Sequence, residues 1–291
     1  MTTIITALLF ASLVVLVSTA VVGLGAMLLG TVRAPSAALS GGDAADSPEP
    51  GLRLRPPLVA GVALAFALLA LSVVARTVVV GHAPWSNLHE FSVAFAAALL
   101  GTYLVLARAH PIAGLAPMVA LLSAGLVAFA VSLDDRVDPL VPALQQPLLL
   151  TIHVGSAALA YAVAGVAFIA AAAEIGQRSA RDRIGFLPSA ATARAVGHRA
   201  VLIAFPILTI AIALGSVWAN LAWRSYWSND PKELAAAATW LIFGAYLHVA
   251  GRRDQWERLA PWLIVLGFAG VLFTYIGAGL FFIGEHSYAA P

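Results

Sequence analysis

The residues of this chain that can do chemistry are seven histidines and one stretch dense in aromatic rings. That stretch, 218–233, reads WANLAWRSYWSNDPKE and holds Trp218, Trp223, Tyr226 and Trp227. Rings at the mouth of a membrane helix have two uses. They anchor the helix at the lipid headgroups, or they form a flat apolar platform for a planar ligand. The density here, broken by polar residues, asks for partners elsewhere in the chain.

Histidines can be those partners. His153 and His286 are expected near the same face of the membrane, one on each flank of the aromatic stretch in sequence. Two imidazoles can hold an iron porphyrin from its two faces while apolar and aromatic side chains cover the macrocycle. Neutral imidazole is the ligating form. The ordinary alternative for each is a hydrogen bond between helices. His248 is expected towards the opposite end of a later span, where an ionisable side chain often marks function. His110 and His198 read as solvated residues at span ends, and His82 and His89 as residues of a loop. A zinc site wants three or four grouped ligands, and no HExxH motif is present. There is no cysteine, so thiol chemistry would belong to a partner or substrate.

The elements that must position these groups are membrane spans. The 291 residues are 61% hydrophobic and 10% charged, with a mean hydropathy of +0.93. A soluble chain normally carries about a quarter charged residues. The expected fold is therefore all-α, a polytopic transmembrane bundle of about eight spans. These are read at 4–30, 57–80, 89–108, 112–132, 147–174, 200–221, 234–250 and 259–284. The first lacks a basic leader and a small-residue cleavage site, and reads as a retained span. Residues 1–80 form an N-terminal pair of spans with a flexible loop at 32–56, rich in Pro, Gly, Ala and Asp. Residues 81–291 carry the loop 218–233.

Twelve of the sixteen basic residues fall on one set of loops. Arg136, Arg224 and Lys232 fall on the other, and Arg76 lies within a span. The positive-inside bias puts the first set in the cytoplasm, with both termini and the aromatic loop outside. The high pI is read through this topology and not as a nucleic-acid signal. Asp230, Pro231 and Glu233 can form a capping box for the seventh span. Asn87 and Glu90 can do the same for the third. Arg224 and Lys232 can meet lipid headgroups or ligand carboxylates such as porphyrin propionates. Arg76 can snorkel or meet a propionate.

WANLAWRSYWSNDPKE resembles the tryptophan-rich haem-handling signature of the CcsA/ResC type, the membrane subunit of System II cytochrome c maturation. PWSNLHE, TIHVGSAALAYA, TWLIFGAYLH and LFTYIGAGLFFIGEHSY resemble segments of the same family, so the likeness runs from about 82 to 288. Asn229 stands where the family usually has Trp, and Arg224 where it usually has glycine. The resemblance implies that His153 and His286 are external axial ligands of haem b, and that His248 binds haem within the membrane. Trp218, Trp223, Tyr226, Trp227, Asp230 and Arg224 would surround the haem. It implies a holocytochrome c synthase subunit that presents haem to the Cys-x-x-Cys-His thiols of apocytochrome c. A CcsB/ResB-type partner would complete it in a cytoplasmic or thylakoid-type membrane. A non-catalytic relative that regulates or scaffolds haem biosynthesis, and a haem transporter, are the alternatives.

Overall fold

A computed structural model of the chain describes residues 2–33, 55–136, 147–252 and 255–286. Most of the loop expected to be flexible at 32–56 lies outside them, as do residues 137–139 of the acidic loop, Arg253 and the last five residues.

Every regular element among the described residues is a helix. In hydrocarbon each backbone N–H and C=O must find its partner within the segment, which leaves apolar spans no other local structure. In chain order the helices are α1 (Thr2–Arg33), α2 (Arg55–Val80), α3 (Leu88–Ala109), α4 (Ala116–Ser132), α5 (Pro147–Ser179) and α6 (Ala190–Trp223). Next come α7 (Pro231–Val249), α8 (Ala260–Leu272), a π-helical turn at Phe273–Gly277, and the short α9 (Ala278–Phe281). Among the described residues, seven stretches are long and apolar enough to cross a membrane. The 19 residues of α7, expected as the seventh span, are not among them. Lys232, Glu233, Tyr246 and His248 dilute its apolar character.

α1 packs on α2 and α4, and α3 joins that group to α5. α5 runs along α6, and α8 closes the second group against α5 and α7. Two polar ties fix α2 to the rest. Near its start, Arg55 donates to the carbonyls of Gly185 at 2.8 Å and Phe186 at 2.9 Å. Near its end, the buried Arg76 guanidinium pairs with Glu90 at 2.8 Å and donates to the Asp135 carbonyl. Arg76 therefore neither snorkels nor awaits a ligand. It is spent on a buried carboxylate, and removing one partner of such a pair costs about 3–5 kcal/mol.

Both expected caps form, one with a change. Asp230 accepts from the Lys232 backbone N–H, and Glu233 reaches back to the Asp230 N–H, with Pro231 at the first helical position. Asn87 accepts from the Glu90 N–H at 2.8 Å. The Glu90 carboxylate, however, takes Ser86 and Arg76 in place of the Asn87 N–H.

Candidate functional site

Trp218 sits in the last turns of α6 with only 2% of its surface exposed. The helix ends five residues later at Trp223, and Arg224, with a left-handed backbone (φ 62°), caps it. The chain then loops outward, and its own side chains hold the loop. Ser216 Oγ donates to the Tyr226 carbonyl, Ser225 Oγ to that of Trp227, and Trp227 Nε1 to Asn229 Oδ1. Asn229 is also left-handed, at φ 60°. Asparagine tolerates that region better than most residues, because its short side chain can bond locally. This gives a physical reason for Asn229 at a position where the resemblance led to an expectation of tryptophan.

His153 projects from α5 against α6. Its ring Nδ1 lies 2.9 Å from the Ala211 carbonyl, so the Nδ1–H donates and the lone pair falls on Nε2. Gly215 makes this approach possible. A Cβ there would stand 2.6 Å from His153 Cε1, closer than any real contact. The His153 ring stacks on Trp218 at 6.0 Å and 13°.

His286 arrives from the far end of the chain. Its Nδ1 donates to Asp230 Oδ1 at 2.9 Å. Gly284, beside it, presses against the Asp230 carboxylate where a Cβ would collide. The His286 ring lies 5.7 Å from Trp218 and meets Trp223 edge-on at 5.1 Å. Trp218 and Trp223 are themselves perpendicular at 4.8 Å. Trp218 therefore touches both imidazoles, which are 133 residues apart in sequence.

His153, His286, Trp218, Tyr226 and Trp227 line a single cavity of about 200 Å³. Phe91, Leu208 and Ile212 contribute to its apolar walls. Its floor carries two buried tyrosines whose hydroxyls are engaged, Tyr161 with Thr274 and Tyr275 with Ser92. Phe91, Phe95 and Phe129 pack around Tyr275. The indole N–H groups of Trp85 and Trp223 are buried and have no acceptor among the described residues. Such orphans ask for an explanation, and a bound water or ion is one.

The charge at the rim is fixed. Burial alone would raise the Asp230 carboxyl. The hydrogen bond and field of His286, together with the backbone N–H groups of Lys232 and His286, outweigh it and hold the carboxyl at about 2. Asp230 is therefore ionised at neutral pH, and a carboxylate behind an imidazole raises its basicity toward a metal.

Not every expected site residue gathers here. Asp230 and Trp223 sit behind the cavity and support it. Arg224 is exposed and does not line it. His248 lies in the last turn of α7, exposed, with Arg252 donating to it at 3.2 Å. About 25 Å of helix separates it from Asp230. Two other histidines sit differently from expectation. His89 is no loop residue. It is buried in the first turn of α3 and donates to the Ala130 carbonyl at 2.8 Å. His198 is half-buried in α6 against the Tyr246 hydroxyl at 3.2 Å. Sequence reasoning also missed the floor tyrosines. Their only signal was polarity inside apolar helices.

A family model described as cytochrome C assembly protein matches residues 85–286. The chain is similar to the cytochrome c biogenesis protein CcsA of Parasynechococcus marenigrum, 34% identical over 259 residues, covering 78% of this chain and 84% of that one. It is similar to CcsA of Synechococcus elongatus at 32% over 292 residues, covering 82% and 89%. CcsA of Chlamydomonas reinhardtii is 33% identical over 234 residues, covering 76% and 65%.

Proposed function

This chain belongs to the cytochrome c assembly protein family and acts in cytochrome c biogenesis, and from that premise we propose that it holds haem b between His153 and His286 and presents it for attachment to apocytochrome c. One observation carries the reading. His153 and His286 line the same cavity, and each touches Trp218. Neither histidine donates through Nε2 in the neutral tautomer that its Nδ1 bond selects, which is the tautomer that ligates iron.

Bound there, haem supplies an iron for the two imidazoles and vinyl groups for the thiols. This chain's residues do the rest. Ala211 and Asp230 aim the imidazoles. Trp218 gives the macrocycle a stacking surface, and Tyr226 and Trp227, both exposed, flank the opening. The apolar walls exclude water. The thiols come from the Cys-x-x-Cys-His segment of apocytochrome c, because this chain has none. Each thioether forms by addition: the S–C bond forms as S–H breaks, and the proton ends on the vinyl group, with nothing oxidised. On this reading His248 receives haem within the membrane, and a CcsB/ResB-type subunit completes the synthase. The arginine distribution orients the aromatic loop, and both termini, to the outer side of the membrane.

The test is spectroscopic. The chain, co-expressed with such a subunit and purified in detergent, should carry haem with bis-imidazole absorption. His153→Ala or His286→Ala should remove that signature. Purified wild-type chain without haem would sink the proposal.

A further inference from the structure

The polar groups around the cavity differ in what remains for a ligand. Three hydroxyls are spent: Tyr161 on Thr274, Tyr275 on Ser92, Ser216 on the Tyr226 carbonyl. Besides the Trp85 indole N–H, two donors are not. Lys232 lines the cavity from the first turn of α7, its stem passing 3.9 Å from the position of a Cβ on Gly279. Among the described residues no ion pair engages its ammonium. The neighbouring carboxylates are occupied: Asp230 by His286 and the Lys232 backbone N–H, and Glu233 by Ser228 and the Asp230 N–H. The second donor is Asn87, also on the cavity wall. Its Oδ1 is consumed by the Glu90 N–H, which assigns the amide orientation and leaves the NH₂ without an acceptor among the described residues.

Lys232 gains little from its place in the fold. A cation in the first turn opposes the helix macrodipole, and the cost of burying its ammonium is offset only by the field of the nearby Asp230 carboxylate. Donors with no acceptors opposite them suit an anion, because charge-assisted bonds are the strong ones. We infer that Lys232 and Asn87 select the ligand by its carboxylates, and that the exposed Arg224 takes no part. This rests on the haem reading above and adds a requirement to it: the two propionates are recognised, and a porphyrin without them is discriminated against. A neutral ester would still accept from Asn87 but would give Lys232 no counter-charge.

The experiment titrates the purified full chain, stripped of endogenous haem, with ferric haem and with haem dimethyl ester, following Soret absorption. Wild type should bind the ester about tenfold more weakly than haem. Lys232→Met should weaken haem about tenfold and leave the ester unchanged, and Lys232→Arg should restore most of the difference. Asn87→Asp keeps the cap acceptor but removes the NH₂, and should weaken both ligands, haem more than the ester because the new carboxylate also repels its propionate. Arg224→Gly should change neither. Equal binding of haem and ester by wild type would overturn the inference while leaving the haem reading standing. So would equal weakening of both ligands by Lys232→Met. Binding of neither ligand by a folded wild type would overturn both.

Discussion

His153 is carried by α5, a 33-residue helix packed along α6, and its ring hydrogen is taken by the main-chain carbonyl of Ala211. His286 follows a π-turn and a four-residue helix, and its ring hydrogen is taken by the carboxylate of Asp230. Both rings end within about 6 Å of Trp218. A carbonyl cannot titrate and moves only if α6 moves. A carboxylate titrates, can be removed by one substitution, and adds negative charge behind the ring. One imidazole is thus held by backbone geometry, the other by a side chain that also caps α7. The difference is between a site that tolerates side-chain changes nearby but no loss of fit, and one that hangs on a single residue.

The largest asymmetry should come from Asp230→Ala. Losing a carboxylate behind a metal-binding imidazole typically costs about 10–100-fold in affinity, and the cap adds about 1 kcal/mol of lost stability. Haem titration should show the drop, while Asp230→Asn, which keeps a cap acceptor, should separate the two losses. No side-chain substitution at Ala211 should match it, because the acceptor there is main chain.

Fit is the lever on the other side. Gly215→Ala places a Cβ against His153, and displacing a well-packed ring costs about 1–3 kcal/mol. It should weaken haem and alter its spectrum. Gly284→Ala presses on the Asp230 carboxylate instead, and should act through His286. If Gly215→Ala leaves the spectrum intact, backbone holding of His153 is refuted.

Acid should also distinguish the two. The Asp230 carboxyl stands at about 2 against its ordinary value of 3.8. A carboxyl lowered by folding contributes stability in full above its unfolded value and loses it as pH falls through the folded one. The His286 contact should therefore weaken between about pH 4 and about pH 2, measured by melting in detergent, and Asp230→Asn should abolish that loss. The smallest effect is expected from Arg224→Gly. Relieving a left-handed arginine at the end of α6 should stabilise by about 1 kcal/mol, read as a modest rise in Tm.

Local features were legible in the sequence, and distant pairings were not. Asp230, Pro231 and Glu233 announced their cap because all its parts lie within four positions. The spans were legible from length and apolar runs, and 234–250 was read as one too, although four polar side chains leave α7 less apolar than the other seven. Glu90 read as a capping partner because its chain neighbours suggest that role. Its actual partner, Arg76, belongs to another helix and cannot be inferred from spacing. The same holds for His89 with Ala130, and for Tyr275 with Ser92. The contacts of both imidazoles with Trp218 depend on the crossing of α5 with α6 and on the path after α8. No period in the sequence encodes those.

The π-turn at Phe273–Gly277 holds one residue more than an α-turn would. Each residue advances a helix by about 100°. Deleting Ile276, which is not part of the cavity wall, would let the ladder close as ordinary helix and swing everything beyond it around the axis. His286 would then leave Trp218 although every side chain of the cavity remained in the chain. The count of residues along this last segment is as much a part of placing that imidazole as the histidine itself.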